Sequence, residues 1–126
     1  MTSRPFRRFL AASVAAATLA LLTPASAVDP TALDRAQSAF ARGDYATAVK
    51  EIDAVKGADR AKALLLKAGI EMKTGKYVEA EKTAKSAGAL GKEWKIAAAP
   101  IRAEAFAAVG KMADALAAVK EVEGED

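Results

Sequence analysis

The chain has no cysteine, no histidine and no asparagine. Without cysteine no disulfide can staple the fold, and no lipid can be attached through a cysteine at a processed N-terminus. Without histidine the most frequent general base and transition-metal ligand is missing. Beyond residue 27 the only serines are Ser38 and Ser86. Most players in nucleophilic and acid–base catalysis are therefore absent. The expectation is a non-enzymatic protein with no cofactor and no metal site. An enzyme resting on Asp, Glu, Lys or Tyr alone is the remaining catalytic reading, and no local motif supports it.

An excess of charge is also missing once the N-terminal segment is set apart. Arg4, Arg7 and Arg8 open the chain, an uncharged apolar stretch runs from Phe9 to Leu22, Pro24 interrupts it, and Ala25-Ser26-Ala27 supplies small residues. That order is expected of a secretory signal peptide over residues 1–27, cleaved after Ala27. The apolar stretch is shorter than the ~20 residues that span a bilayer. An uncleaved anchor is the alternative, and Arg7-Arg8 leaves twin-arginine export open beside the ordinary secretory route. The whole chain carries 19 basic and 16 acidic residues, a net of +3. Residues 1–27 hold three arginines and no acid, so residues 28–126 carry 16 of each sign. No clustered basic excess marks a nucleic-acid partner. The membrane is expected to matter only during export, and the processed product to be soluble in the periplasm or secreted.

What the chain does have is alanine, helical periodicity and a repeat. Tyr45, Ala48, Val49, Ile52 and Val55 share one helical face, as do Met112, Ala115, Leu116, Val119 and Val122, and Ala32, Ala36, Ala39 and Phe40. No alternating strand pattern occurs. Asp29-Pro30 reads as an N-cap followed by a proline in the first turn. Gly57, Gly88 and Gly91 read as left-handed stops. Pro100 either starts its helix or kinks one begun near Lys92. The acidic tail from Glu121 to Asp126 is expected to fray.

Three segments align: Gly43-Asp44-Tyr45-Ala46-Thr47-Ala48, Gly75-Lys76-Tyr77-Val78-Glu79-Ala80 and Gly110-Lys111-Met112-Ala113-Asp114-Ala115. The glycines are 32 and 35 residues apart. Seven residues before each glycine stand Ala36, Ala68 and Ala103, and five after stand Ala48, Ala80 and Ala115. Small residues at such places let two helices cross at about 8–10 Å.

In this period and these positions the chain resembles the tetratricopeptide repeat (TPR) family. It departs from the pattern where Ala32, Leu64 and Ala99 replace the large aromatic early in the first helix, where the closing proline is missing, and where Met112 replaces tyrosine. Another helical hairpin array is the rival. The resemblance implies an all-α helical hairpin array, an α-solenoid of about six helices. Its domain would be residues 28–126, with repeats near 29–57, 58–91 and 92–126. It also implies a concave groove lined by Leu33, Gln37, Phe40, Lys62, Leu65, Met72, Lys73 and Glu104, suited to a protein or peptide partner. Lys62 and Lys73 stand without the asparagines of the carboxylate-binding TPR subclass. Self-association is the other expectation, because no polar capping helix follows Val122. Charge is uneven: residues 56–95 net +5, residues 28–55 net −2 and residues 96–126 net −3. Trp94, the single tryptophan, is expected at the seam between the second and third units or as a partner anchor.

Overall fold

Two glycine-governed events shape the chain, a repeated turn and one close helix contact. The structure, a computed structural model, describes residues 29–124, so the expected signal peptide lies outside the described residues. From Thr31 onward the described residues form one compact unit. It is all-helical and, among the described residues, has no strand. The helices are α1 (Ala32–Ala41), α2 (Tyr45–Asp53), α3 (Arg60–Lys73), α4 (Tyr77–Gly88), α5 (Lys92–Ala108) and α6 (Met112–Lys120), with a 3₁₀ turn at Gly57–Asp59.

The turns after α1, α3 and α5 are built alike. Gly43, Gly75 and Gly110 take φ of 78°, 79° and 80°, where any side chain would be strained. Each glycine N–H bonds back to a carbonyl three residues earlier (Phe40, Met72, Ala107) at 2.9, 3.3 and 3.0 Å. The next N–H reaches five residues back, from Asp44 to Ala39, Lys76 to Glu71 and Lys111 to Phe106, at 2.9, 2.8 and 2.9 Å. This is the paired-bond helix stop that a left-handed residue permits. Three helix pairs with one turn geometry follow.

Helix starts are capped unevenly. Thr31, not Asp29, caps α1: Asp34 N–H donates to the Thr31 hydroxyl at 3.1 Å, and Thr31 N–H donates to Asp34 Oδ2 at 3.0 Å. Asp29 and Pro30 precede the helix because this reciprocal box satisfies the first turn without them. Asp44 accepts from Thr47 N–H at 3.2 Å at the start of α2. The C-terminal end of α2 is served by a side chain from the next helix, as Arg60 donates to the carbonyls of Ile52 at 3.0 Å and Val55 at 3.4 Å.

The interior is made chiefly of methyl groups. Among the buried apolar residues 14 are alanine, and the other four are Leu33, Ile52, Val55 and Ile70. One cluster joins α1 and α2 to Ala63 and Ile70 of α3, with Phe40, Tyr45 and Val49 against it. A second joins Ala68, Ala84 and Ala98 from α3, α4 and α5. Ala36, Ala48, Ala68 and Ala80 are wholly buried and Ala115 is 7% exposed, whereas Ala103 is only half-buried. Consecutive helices pack on one another, α4 on α5 most extensively, and α1 also touches α3, as α3 touches α5.

Two expectations change, and one open alternative is decided. Gly57 is left-handed, but Gly88 is helical and Gly91 is extended. Gly88 is a contact residue: a Cβ there would stand 3.1 Å from the Lys95 Cα. Of the two readings of Pro100, the helix begun at Lys92 is the one found: α5 runs through the proline, which lies on the exposed side where water can reach the carbonyl its missing N–H leaves open. The tail is in turns as far as Gly124 and is tied down at Glu121, which Arg102 holds by a hydrogen bond.

Two alanine substitutions should therefore move stability in opposite directions. Gly69 is helical with open space around its missing Cβ, so Gly69→Ala is expected to raise stability by about 0.5–1 kcal/mol. Gly88→Ala would put a Cβ 3.1 Å from the Lys95 Cα, so the helix contact must loosen by a few tenths of an ångström, and it is expected to lower stability by about 1 kcal/mol. Urea unfolding of both variants checks the pair.

Candidate functional site

The eight groove residues all lie on α1, α3 and α5, which touch in sequence order. Their environments differ. Leu33 is buried in the first core cluster. Phe40 is half-buried, its ring tilted on Tyr45 with centroids 5.7 Å apart. Leu65 packs against the second cluster, and Met72 is half-buried. Gln37, Lys62, Lys73 and Glu104 are exposed. The apolar members thus serve packing as well as any surface, and the polar members stand in solvent. None of the eight lines the four depressions described below.

The most distinctive surface is on α6. Met112, Leu116 and Val119 repeat at helical spacing and are 60, 62 and 43% exposed. The equivalent positions of α2 are better covered: Tyr45 and Val49 are half-buried and Ile52 is buried. The two helices have the same apolar period, but α2 is followed by α3, whereas α6 has no later helix against it among the described residues. Ala115, the counterpart of Ala48 in α2, and Ala118 are the buried residues of α6. Val78 and Val109, 52 and 41% exposed, border a depression of about 150 Å³ with Tyr77 and Phe106.

The other three depressions are larger. Trp94 is half-buried and lines one of about 510 Å³ with Ala58, Arg60, Ala61, Leu90 and Glu93, so it does sit between the start of α3 and the α4–α5 junction. A second, also about 510 Å³, lies between α2 and α3, with Tyr45, Val49 and Lys67 in its lining. Glu71 is on its wall, with a buried Oε1 that no protein donor reaches.

The third, about 320 Å³, is where α4, α5 and the end of α6 meet, and its charged wall is Lys85, Lys95, Arg102 and Glu121. Arg102 organises it. Its Nε donates to Glu81 on α4 at 2.8 Å, and an Nη donates to Glu121, beyond α6, at 2.7 Å. Its side chain is only 12% exposed. Burial opposes the guanidinium charge, but the hydrogen bonds it donates to Glu81 and Glu121 outweigh that and hold its pKa above the ordinary value. Sequence reasoning did not find this junction, because three residues so far apart in the chain meet only after folding.

No known family model matches the chain, and no curated protein or solved structure does so either. Among the described residues no helix is long and apolar enough to cross a membrane, and no three His, Cys, Asp or Glu residues group to hold a metal ion.

The carboxylates give a sign for acid sensitivity. The bond from Arg102 holds Glu121 below its ordinary 4.5, and the bonds with Thr31 and Thr47 hold Asp34 and Asp44 below 3.8. A folded-state pKa below the unfolded one gives stability that is complete above the unfolded value and is lost as pH falls through the folded one. The melting temperature should therefore hold steady at neutral pH and decline as pH drops below about 4.5. In Glu121→Gln the share of that decline owed to Glu121 should be absent, as read by circular dichroism melts across the acid range.

Proposed function

We propose that the chain is a non-catalytic protein–protein interaction module of the bacterial cell envelope, a TPR-like hairpin array that is exported and processed after Ala27. The observation that carries this is the uncovered stripe of Met112, Leu116 and Val119 on the last helix. An apolar face at the end of a stacked array supports docking, since inner units have theirs covered by the next helix. The repeated turn, the helix pairing and the buried crossing alanines support the TPR-like reading. The partner is a protein or peptide that covers the stripe or lies along the α1, α3 and α5 surface. A self-assembling structural subunit is the second reading, favoured by the same stripe, which another copy could cover.

Leu116→Glu tests both. It places a charge on an exposed position, so stability should change by no more than about 0.5 kcal/mol. Sedimentation and pull-down from envelope extract with the processed protein should show a heterologous partner that the variant no longer holds. A large homo-oligomer, dispersed by the same change, moves the conclusion to the structural subunit. A monomer whose associations ignore Leu116→Glu overturns both, and an N-terminus other than Val28 overturns the processing.

A further inference from the structure

The cavity at Arg102 is separate from the α6 stripe and has a chemistry of its own. Its charged lining is three cations, Lys85, Lys95 and Arg102, against one acid, Glu121. The floor is small and apolar, from Gly88, Ala89 and Ala98. It is also firm, because α4 and α5 approach so closely that the missing Cβ of Gly88 would stand 3.1 Å from the Lys95 backbone. A carboxylate already sits there, since Glu121 takes a 2.7 Å bond from Arg102.

The two acids on Arg102 are not alike. The Glu81 side chain is 16% exposed and comes from the neighbouring helix, whereas that of Glu121 is 48% exposed and comes from the turn that follows α6. The inner bond belongs to the fold, and the outer one faces solvent and can exchange. If Glu121 leaves, Arg102 keeps Glu81 and the helices stay joined. The lining itself favours an incoming acid, with three cations against one carboxylate.

We propose that this cavity receives a carboxylate side chain of an acidic partner peptide, and that Glu121 is a built-in occupant which the peptide displaces. Arg102 supplies the directed bond, Lys85 and Lys95 the long-range attraction, and the apolar floor takes the methylenes of a glutamate. A peptide carboxylate is favoured over a phosphate group because a carboxylate is what the cavity already holds. The site does not depend on the stripe being a docking face.

The test is fluorescence anisotropy of a labelled hexaglutamate peptide titrated with the purified protein, with inorganic phosphate as a competitor. The peptide should bind, and Glu121→Gln should bind it about two- to fivefold tighter, the scale of one exposed charge pair. Lys85→Ala and Lys95→Ala should each weaken binding by about the same factor. Lys56→Ala, which removes an equal charge outside the cavity, should leave it unchanged. Circular dichroism confirms that the variants stay helical. No binding overturns the proposal, as do a Glu121→Gln protein that binds no tighter, a Lys56 effect equal to that of Lys85 and Lys95, or phosphate displacing the peptide at equal concentration. Leu116→Glu should leave peptide binding intact, so the stripe and the cavity can fail separately.

Discussion

The close approach of helix backbones through alanine is the constraint on which the structure rests. With 14 of its buried apolar positions held by alanine, the interior has few large side chains to interlock, and Ile52 is the single large one that is fully enclosed. Cohesion comes instead from short distances: dispersion between backbones and methyl groups acts only when the surfaces touch. Gly88 against Lys95 is the extreme case, where one more carbon would stand only 3.1 Å from the neighbouring backbone. Small residues therefore fix where each helix lies, and position matters here more than hydrophobic bulk.

That thin interior explains the weight given to polar links between helices. Arg60 reaches back to the Ile52 and Val55 carbonyls at the end of α2 and just beyond it, and Arg35 of α1 pairs with Glu51 of α2. Arg102 ties α5 to the elements on both sides of it. Each link joins elements whose apolar contact is limited by the size of alanine. The last helix gains most: its larger apolar residues face outward, so it is held by Ala115, Ala118 and the Arg102–Glu121 bond.

Local chemistry was readable from the sequence, and the arrangement of distant groups was not. The three turns were legible as glycine-led segments that recur, and the crossing alanines because their distance from each glycine recurs with them. The role of Gly88 was not, since a glycine that ends a helix and one that admits a neighbour look the same in one dimension. Nor could periodicity separate α2 from α6: their apolar spacing is shared, and what differs is whether a following helix covers it. The eight groove residues fell on the intended helices, but the charged cavity gathers side chains from α4, α5 and beyond α6. Thr31 took the capping role from Asp29 because a reciprocal bond with Asp34 was within reach, a competition between neighbours that composition alone does not rank.

The order of packing also bears on how the chain reaches this state. Most helix contact is between neighbours in sequence, and the turns that join the pairs close through bonds of only a few residues' reach. Little chain must be gathered before a contact forms, so the entropy lost in closing loops is small. Topologies of this kind assemble in microseconds to milliseconds, about the range of local helical bundles. A chain with so modest an interior thus folds quickly by meeting its neighbours first, without waiting for its ends to find each other.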